Sequence, residues 1–152
     1  MSGIISHRGN LDGPIPEREN SPDYIDQAIK WGFVVEIDIR YKGGKLWLGH
    51  DYAQWPVEIE WLEQRHPNLL VHIKDWDVLT QTQVWHKFHS FCHVGDPFTV
   101  TSHGLLWIHD LSLTYTQESI IPLITQQQVI DYDNGPRKTP GHICTDHPVM
   151  FL

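Results

Sequence analysis

Cysteine is scarce in this 152-residue chain, with Cys92 and Cys144 the whole complement. Two thiols cannot staple a disulfide scaffold. Both sit in apolar sequence surroundings, so they are expected to be buried and reduced rather than bonded or nucleophilic. Positive charge is scarce too: 11 Lys and Arg face 19 Asp and Glu, for a net charge of −8. This argues against a general nucleic-acid surface, and any phosphate chemistry has to draw on local cations. No apolar run approaches the roughly 18 residues that span a bilayer, so no membrane segment is expected. The opening Met1-Ser2-Gly3-Ile4-Ile5-Ser6-His7 has neither a basic n-region nor an apolar h-region, which points to a reducing, cytoplasmic setting. Internal repeats, low-complexity tracts, HExxH and Cys/His zinc spacings are all missing. The 11 histidines are scattered, and His66, His86, His89, His103, His109, His142 and His147 are read as surface or packing residues.

The length suits one domain, residues 1–152, with enough chain to bury a core. Residues 3–7 read as a short apolar strand. Ser21-Pro22-Asp23 is a helix start, a capping serine with proline at the first helical position. Ile25, Ala28 and Ile29 then recur at helical spacing until Gly32 stops the run. Helices are also expected over residues 56–66 and 78–88. Beyond these, residues 91–94, 98–101, 105–108, 119–123 and 142–145 are short, apolar or β-branched, and read as strands. The connections 94–98 and 101–105 are too tight for parallel neighbours and admit hairpins. Gln126-Gln127-Gln128 reads as a polar loop or helix turn, and residues 131–140 as an exposed loop. The seven tryptophans are assigned to core and helix packing. Trp55, Trp76 and Trp107 lie near strand ends, where one can flank a ligand.

Chemistry concentrates in the first half. Residues 33–40 alternate, with Val35, Ile37 and Ile39 on one face and Glu36, Asp38 and Arg40 on the other. Two carboxylates projecting together repel, and burying them costs several kcal/mol unless a cation compensates. A divalent ion resolves the conflict; a polar face turned to water is the other reading. Oxygen ligands favour Mg2+ or Ca2+ over zinc, with Mn2+ acceptable. Tyr41-Lys42-Gly43-Gly44-Lys45 reads as a hairpin turn whose return strand, residues 46–49, delivers His50. Over residues 69–74, Val71 and Ile73 face one way and His72 and Lys74 the other. Lys74 is then an oxyanion clamp beside the carboxylates or a solvent-facing strand end.

Ile4-Ile5-Ser6-His7-Arg8-Gly9, Glu19-Asn20, Glu36-Ile37-Asp38 and His50-Asp51, in this order, closely resemble the opening of the glycerophosphodiester phosphodiesterase family, within the phospholipase C-like phosphodiesterase superfamily. Ile73-Lys74 sits where that family has a Glu-x-Lys strand, and Thr145-Asp146-His147-Pro148 is similar to its closing Thr-Asp-x-Pro. Residues 75–140 show little likeness. The resemblance implies a (β/α)8 barrel, a fold that typically takes about 250 residues. In this shorter chain it implies a reduced TIM-type α/β barrel, with strands near residues 4, 35, 70, 92, 99, 106, 121 and 143 and helices missing mainly in the C-terminal half.

The same resemblance implies metal-dependent hydrolysis of a phosphodiester. His7 and His50 would divide acid and base work, Arg8 and Lys74 would hold the phosphate, and Glu36 and Asp38 would hold a divalent ion. Glu19 and Asn20 would brace the loop, and Asp51 would orient His50. A small-molecule diester is the expected partner, with no nucleic acid and no membrane. Missing helices would leave apolar strand faces for a homodimer to cover. His72 departs from the family pattern, standing where a third acidic ligand is usual. A site of two carboxylates and more water, a shift toward a transition metal, or lost activity can follow, and the first is expected. A phosphate-binding relative without turnover and a lyase-type phospholipase that stops at a cyclic phosphate are the competing readings.

Overall fold

A computed structural model of the protein describes residues 3–135 and 140–152. Its elements are β1 (Ile4–His7), α1 (Pro22–Lys30), β2 (Val34–Lys42), β3 (Lys45–Leu48), β4 (Trp55–Val57), α2 (Ile59–Glu63), β5 (Leu69–Ile73), α3 (Trp76–Gln81), α4 (Val84–Lys87), β6 (Ser90–Cys92), β7 (Phe98–Val100), β8 (Leu106–Ile108), β9 (Ser119–Leu123), α5 (Gln126–Asn134) and β10 (His142–Thr145). Strands β6, β5, β2, β1, β10, β9 and β8 lie side by side, each parallel to the next. Antiparallel β7 extends the β8 end. Antiparallel β3 and β4 continue from the C-terminal half of β2.

The result is a curled mixed sheet, a half-barrel with few helices, and not the expected reduced (β/α)8 barrel. Helices do not alternate with strands throughout: none stands between β6 and β9. Between β6 and β8 the connection holds β7 in place of a helix, and β7 doubles back as a hairpin with β8. No ladder joins β6 to β8 among the described residues; a single backbone bond from Ser102 N to Ser90 O, 2.7 Å, spans that side.

The sheet buries different chemistry on its two faces. On one, Val35, Ile37 and Ile39 of β2 and Leu69, Val71 and Ile73 of β5 pack against Ile25 and Ala28 of α1, Leu62 of α2, Val78 of α3 and Val84 of α4. Ile37 is fully buried there, and truncating it to alanine would cost about 2–5 kcal/mol. On the other, Ile5, Val34, Leu70, Phe91, Trp107, Ile120 and Cys144 form a second apolar cluster. A third, around Ile121, Leu123 and Ile143, is capped by Val129 of α5.

Local chemistry sets most boundaries. Ser21 caps α1 by accepting the Tyr24 N–H, with Pro22 following it. Gly43 and Gly44, at φ 61° and 77°, make the β2–β3 turn that a side chain would resist. Several expected elements shift. Pro56 and Val57 belong to β4, so the helix expected over residues 56–66 begins only at Ile59. The helix expected over 78–88 breaks in two at Thr82, whose hydroxyl donates to Val78 O and accepts from Val84 N. Residues 131–134 of the expected loop are helical, because Thr125 and Gln128 close a capping box on α5; residues 136–139 of that loop lie outside the described residues.

Two burial expectations also change. Cys144 is buried but Cys92 is exposed, and both are free thiols. Trp107 is buried, whereas Trp31, Trp76 and Trp85 are exposed at 54%, 73% and 41%, so tryptophan is not mainly core here. No helix among the described residues is long and apolar enough to cross a membrane.

Candidate functional site

Alternate side chains of a strand share a face, and along the second face an apolar floor residue is followed two positions later by a polar one. Ile5 precedes His7, Val34 precedes Glu36 and Asp38, Leu70 precedes His72 and Lys74, Phe91 precedes His93, Trp107 precedes His109, and Cys144 precedes Asp146. The polar members therefore gather at the C-terminal strand ends. His7, Arg8, Glu19, Glu36, His50, Asp51, His72, Lys74, His93, His109 and Asp146 line one cleft of about 940 Å3. Asp38 and Asn20 lie fully buried beneath it, at 0% and 1% exposure.

The loop after β1 is built around Asp38. Asn20 donates from Nδ2 to Asp38 Oδ2 at 2.8 Å and accepts the Asp38 N–H at Oδ1, 2.9 Å. Arg8 brings Nε to 3.2 Å from Asp38 Oδ2 and donates from Nη1 to Glu19 Oε2 at 3.1 Å. Arg8 and Asn20 are the described non-glycine residues with positive φ, 56° and 61°. Such backbone costs on the order of 1–3 kcal/mol and persists where the surroundings enforce it. Burial alone would raise the Asp38 pKa, but His72 and Arg8 outweigh it and hold the carboxyl well below the usual range.

His7 is oriented from the last strand. Its Nδ1 lies 2.7 Å from Asp146 Oδ1, which also accepts from Asn10 Nδ2 at 2.8 Å. An ionised carboxylate only accepts, so Nδ1 carries the proton, and Nε2 is left 3.9 Å from Glu36 Oε2. Burial works against the imidazolium, yet Asp146 and Glu36 prevail and raise the His7 pKa.

His72 faces the two carboxylates. Nδ1 is 3.2 Å from Asp38 Oδ1 and 3.5 Å from Glu36 Oε1, while Nε2 is 3.1 Å from the His93 carbonyl. The ring stacks on Phe91 at 4.5 Å. Burial disfavours its charge, but Asp38 and Glu36 push the pKa up to about 9. Glu36 Oε2 and Asp38 Oδ1 remain buried without a hydrogen-bond partner. One ligand atom from each of Glu36, Asp38 and His72 lies within 4.8 Å of the others. Buried carboxylate oxygens without a hydrogen bond are costly, and the donor set fits a divalent cation.

His50 reaches the same cleft because the β2–β3 hairpin folds back over the strand ends. Gly49 N donates to Asp38 O at 3.0 Å, and Arg40 donates to the carbonyls of Gly49 and His50. His50 Nδ1 pairs with Asp51 Oδ1 at 2.8 Å in a more exposed position than His7. The His50 contact lowers the pKa of Asp51.

All ten residues singled out in the sequence thus meet in or directly under one cleft: His7, Arg8, Glu19, Asn20, Glu36, Asp38, His50, Asp51, His72 and Lys74. Sequence reading passed over the roles of Asn10, His93, His109 and Asp146. For His93, His109 and Asp146 the signal was present, a polar residue two after an inward apolar one. Comparison with protein-family models, curated proteins and solved structures returns no match.

Proposed function

We propose that the protein is a metal-dependent phosphodiester hydrolase acting on a small-molecule, glycerophosphodiester-like substrate. The observation that carries this reading is the convergence of two histidines, each backed by a carboxylate, on a cleft that also holds Arg8, Lys74 and two buried, unpartnered carboxylate oxygens. The order of these residues resembles the glycerophosphodiester phosphodiesterase family. The two free thiols suit a cytoplasmic protein.

Glu36 and Asp38 would hold the divalent ion. Bound there, it would supply Lewis-acid polarisation of a phosphoryl oxygen and offset negative charge. Arg8 and Lys74 neutralise the rest of the charge that grows in the transition state. His7 and His50 divide the proton transfers: one takes the proton of the attacking hydroxyl or water, the other protonates the leaving alkoxide. Asp146 holds the proton of His7 at Nδ1 and thereby keeps Nε2 available for transfer. Asn20 and Glu19 fix Asp38 and Arg8, so that charge is in place before substrate arrives.

Hydrolysis of bis(4-nitrophenyl) phosphate and of glycerophosphodiesters, with Mg2+, Mn2+, Ca2+, Zn2+ or Co2+, tests the reading against His7→Ala and Glu36→Ala. Metal-dependent turnover lost in both variants is expected. Absence of turnover above the variants with every metal would sink it. Product analysis for cyclic against open phosphate separates hydrolase from lyase.

A further inference from the structure

The third member of the carboxylate cluster decides which ion it holds. A carbonyl oxygen only accepts, so the 3.1 Å contact between His72 Nε2 and His93 O requires the proton on Nε2. Once Nδ1 gives up its own proton, it presents a lone pair to the space shared with Asp38 Oδ1 and Glu36 Oε1. Facing two carboxylates, Nδ1 carries either a second proton or a metal ion in that proton's place. Although Nδ1 is 3.2 Å from Asp38 Oδ1, that oxygen has no hydrogen-bond partner, so the two atoms approach without the alignment of a bond. A metal-binding histidine typically gives its other N–H to a carbonyl or carboxylate, which fixes ring and tautomer. His93 supplies that carbonyl, and Phe91 stacked at 4.5 Å restrains the ring plane.

From this donor set we infer that the centre is built for a first-row transition ion such as Zn2+, Co2+ or Fe2+, bound by Glu36, Asp38 and His72 Nδ1, in preference to Mg2+ or Ca2+. The inference rests on the proposed metal-dependent reading and sharpens it. Two carboxylates with a neutral imidazole balance a divalent charge, and Arg8 already draws on Asp38 at 3.2 Å. That leaves less negative charge than hard cations favour, while imidazole suits zinc, iron and copper-like ions. The expected site of two carboxylates and extra water is thereby replaced by a three-ligand, mixed nitrogen and oxygen site.

The test uses the full chain stripped with chelator and titrated with Co2+, Zn2+, Mg2+ and Ca2+ by calorimetry, with Co2+ ligand-field absorption as a second readout. One equivalent of Zn2+ or Co2+ should bind more tightly than Mg2+ by roughly tenfold or more. H72Q should lose roughly 10- to 100-fold of transition-ion affinity and the Co2+ spectrum, with circular dichroism confirming the fold. H72E, which restores an all-oxygen set, should move the preference toward Mg2+. Equal or tighter binding of Mg2+ or Ca2+ by the native chain overturns the inference, as does Co2+ binding that neither variant alters. Turnover supported by Mg2+ without transition-ion binding would defeat this inference alone. Transition-ion binding without phosphodiester turnover would defeat the proposed activity and leave the metal assignment standing.

Discussion

Asp146 acts on His7 across the β1–β10 boundary, from the far end of the chain, and its carboxylate is buried. Replacing it with asparagine keeps the shape and the link to Asn10 but removes the charge that fixes the imidazole proton. D146N should lower kcat by about 10²–10⁴-fold while leaving KM within a few-fold. Because Asp146 helps raise the His7 pKa, the limb of the pH–rate profile belonging to His7 should move to lower pH. A kcat unchanged in a folded variant would remove Asp146 from the mechanism. His89 offers a separate test of buried imidazole, away from the cleft. Burial first, and then the charges of His103 and His142, lower its pKa from 6.5 to about 4. The unfolded chain takes up that proton near pH 6.5, whereas the fold resists it until about pH 4. The contribution of neutral His89 is therefore intact above pH 6.5 and is lost as pH falls through this window. Urea unfolding across it should show a shallower acid limb for H89Q than for the native chain.

At the scale of the element, the β2–β3–β4 hairpin carries His50, and Gly49 is where it closes. Gly49 adopts φ 153°, and a Cβ there would lie 2.0 Å from the Tyr52 carbonyl oxygen, so the loop has to move. G49A should destabilise by about 1–3 kcal/mol in urea titrations and lower kcat more than it changes metal affinity. A neutral alanine would mean that the His50 loop is not held as described. Length also explains what was legible in the sequence. β2 has nine residues, enough alternation to put Glu36 and Asp38 on one face before any coordinates. Lys74 and His72 follow from β5 in the same way. β6 and β8 have only three residues each, a run too short for the polar residue two after an inward apolar one to stand out, so His109 reads as a surface or packing residue and His93 receives no role. The barrel expectation failed because residues 93–105 are taken up by β7 and its turns and hold no closing helix. Helix α5 was passed over because its apolar stripe is thin, with Val129 its buried residue, although Thr125-x-x-Gln128 announced its start.

For the whole molecule, the half-barrel divides labour between its faces. Helices and aliphatic strand residues supply stability on one face, and the other lifts a charged ring above an apolar floor. Grouping Glu36 and Asp38 with little solvent is unfavourable without a cation, so the site costs stability that the helix-covered core offsets. Two linked consequences can be measured in one thermal-unfolding series. In chelator, E36Q should be more stable than the native chain by about 1 kcal/mol, because it relieves repulsion at a fully buried position. With metal at a hundred times its dissociation constant, the native chain should gain about 2.7 kcal/mol, roughly 2–4 °C in Tm for each kcal/mol at this size. E36Q should gain little, so the order of stabilities reverses when metal is added. An E36Q protein that is less stable in chelator, or that gains as much from metal as the native chain, would mean that Glu36 is a structural group held by His7 and His72 and that no ion belongs beside it.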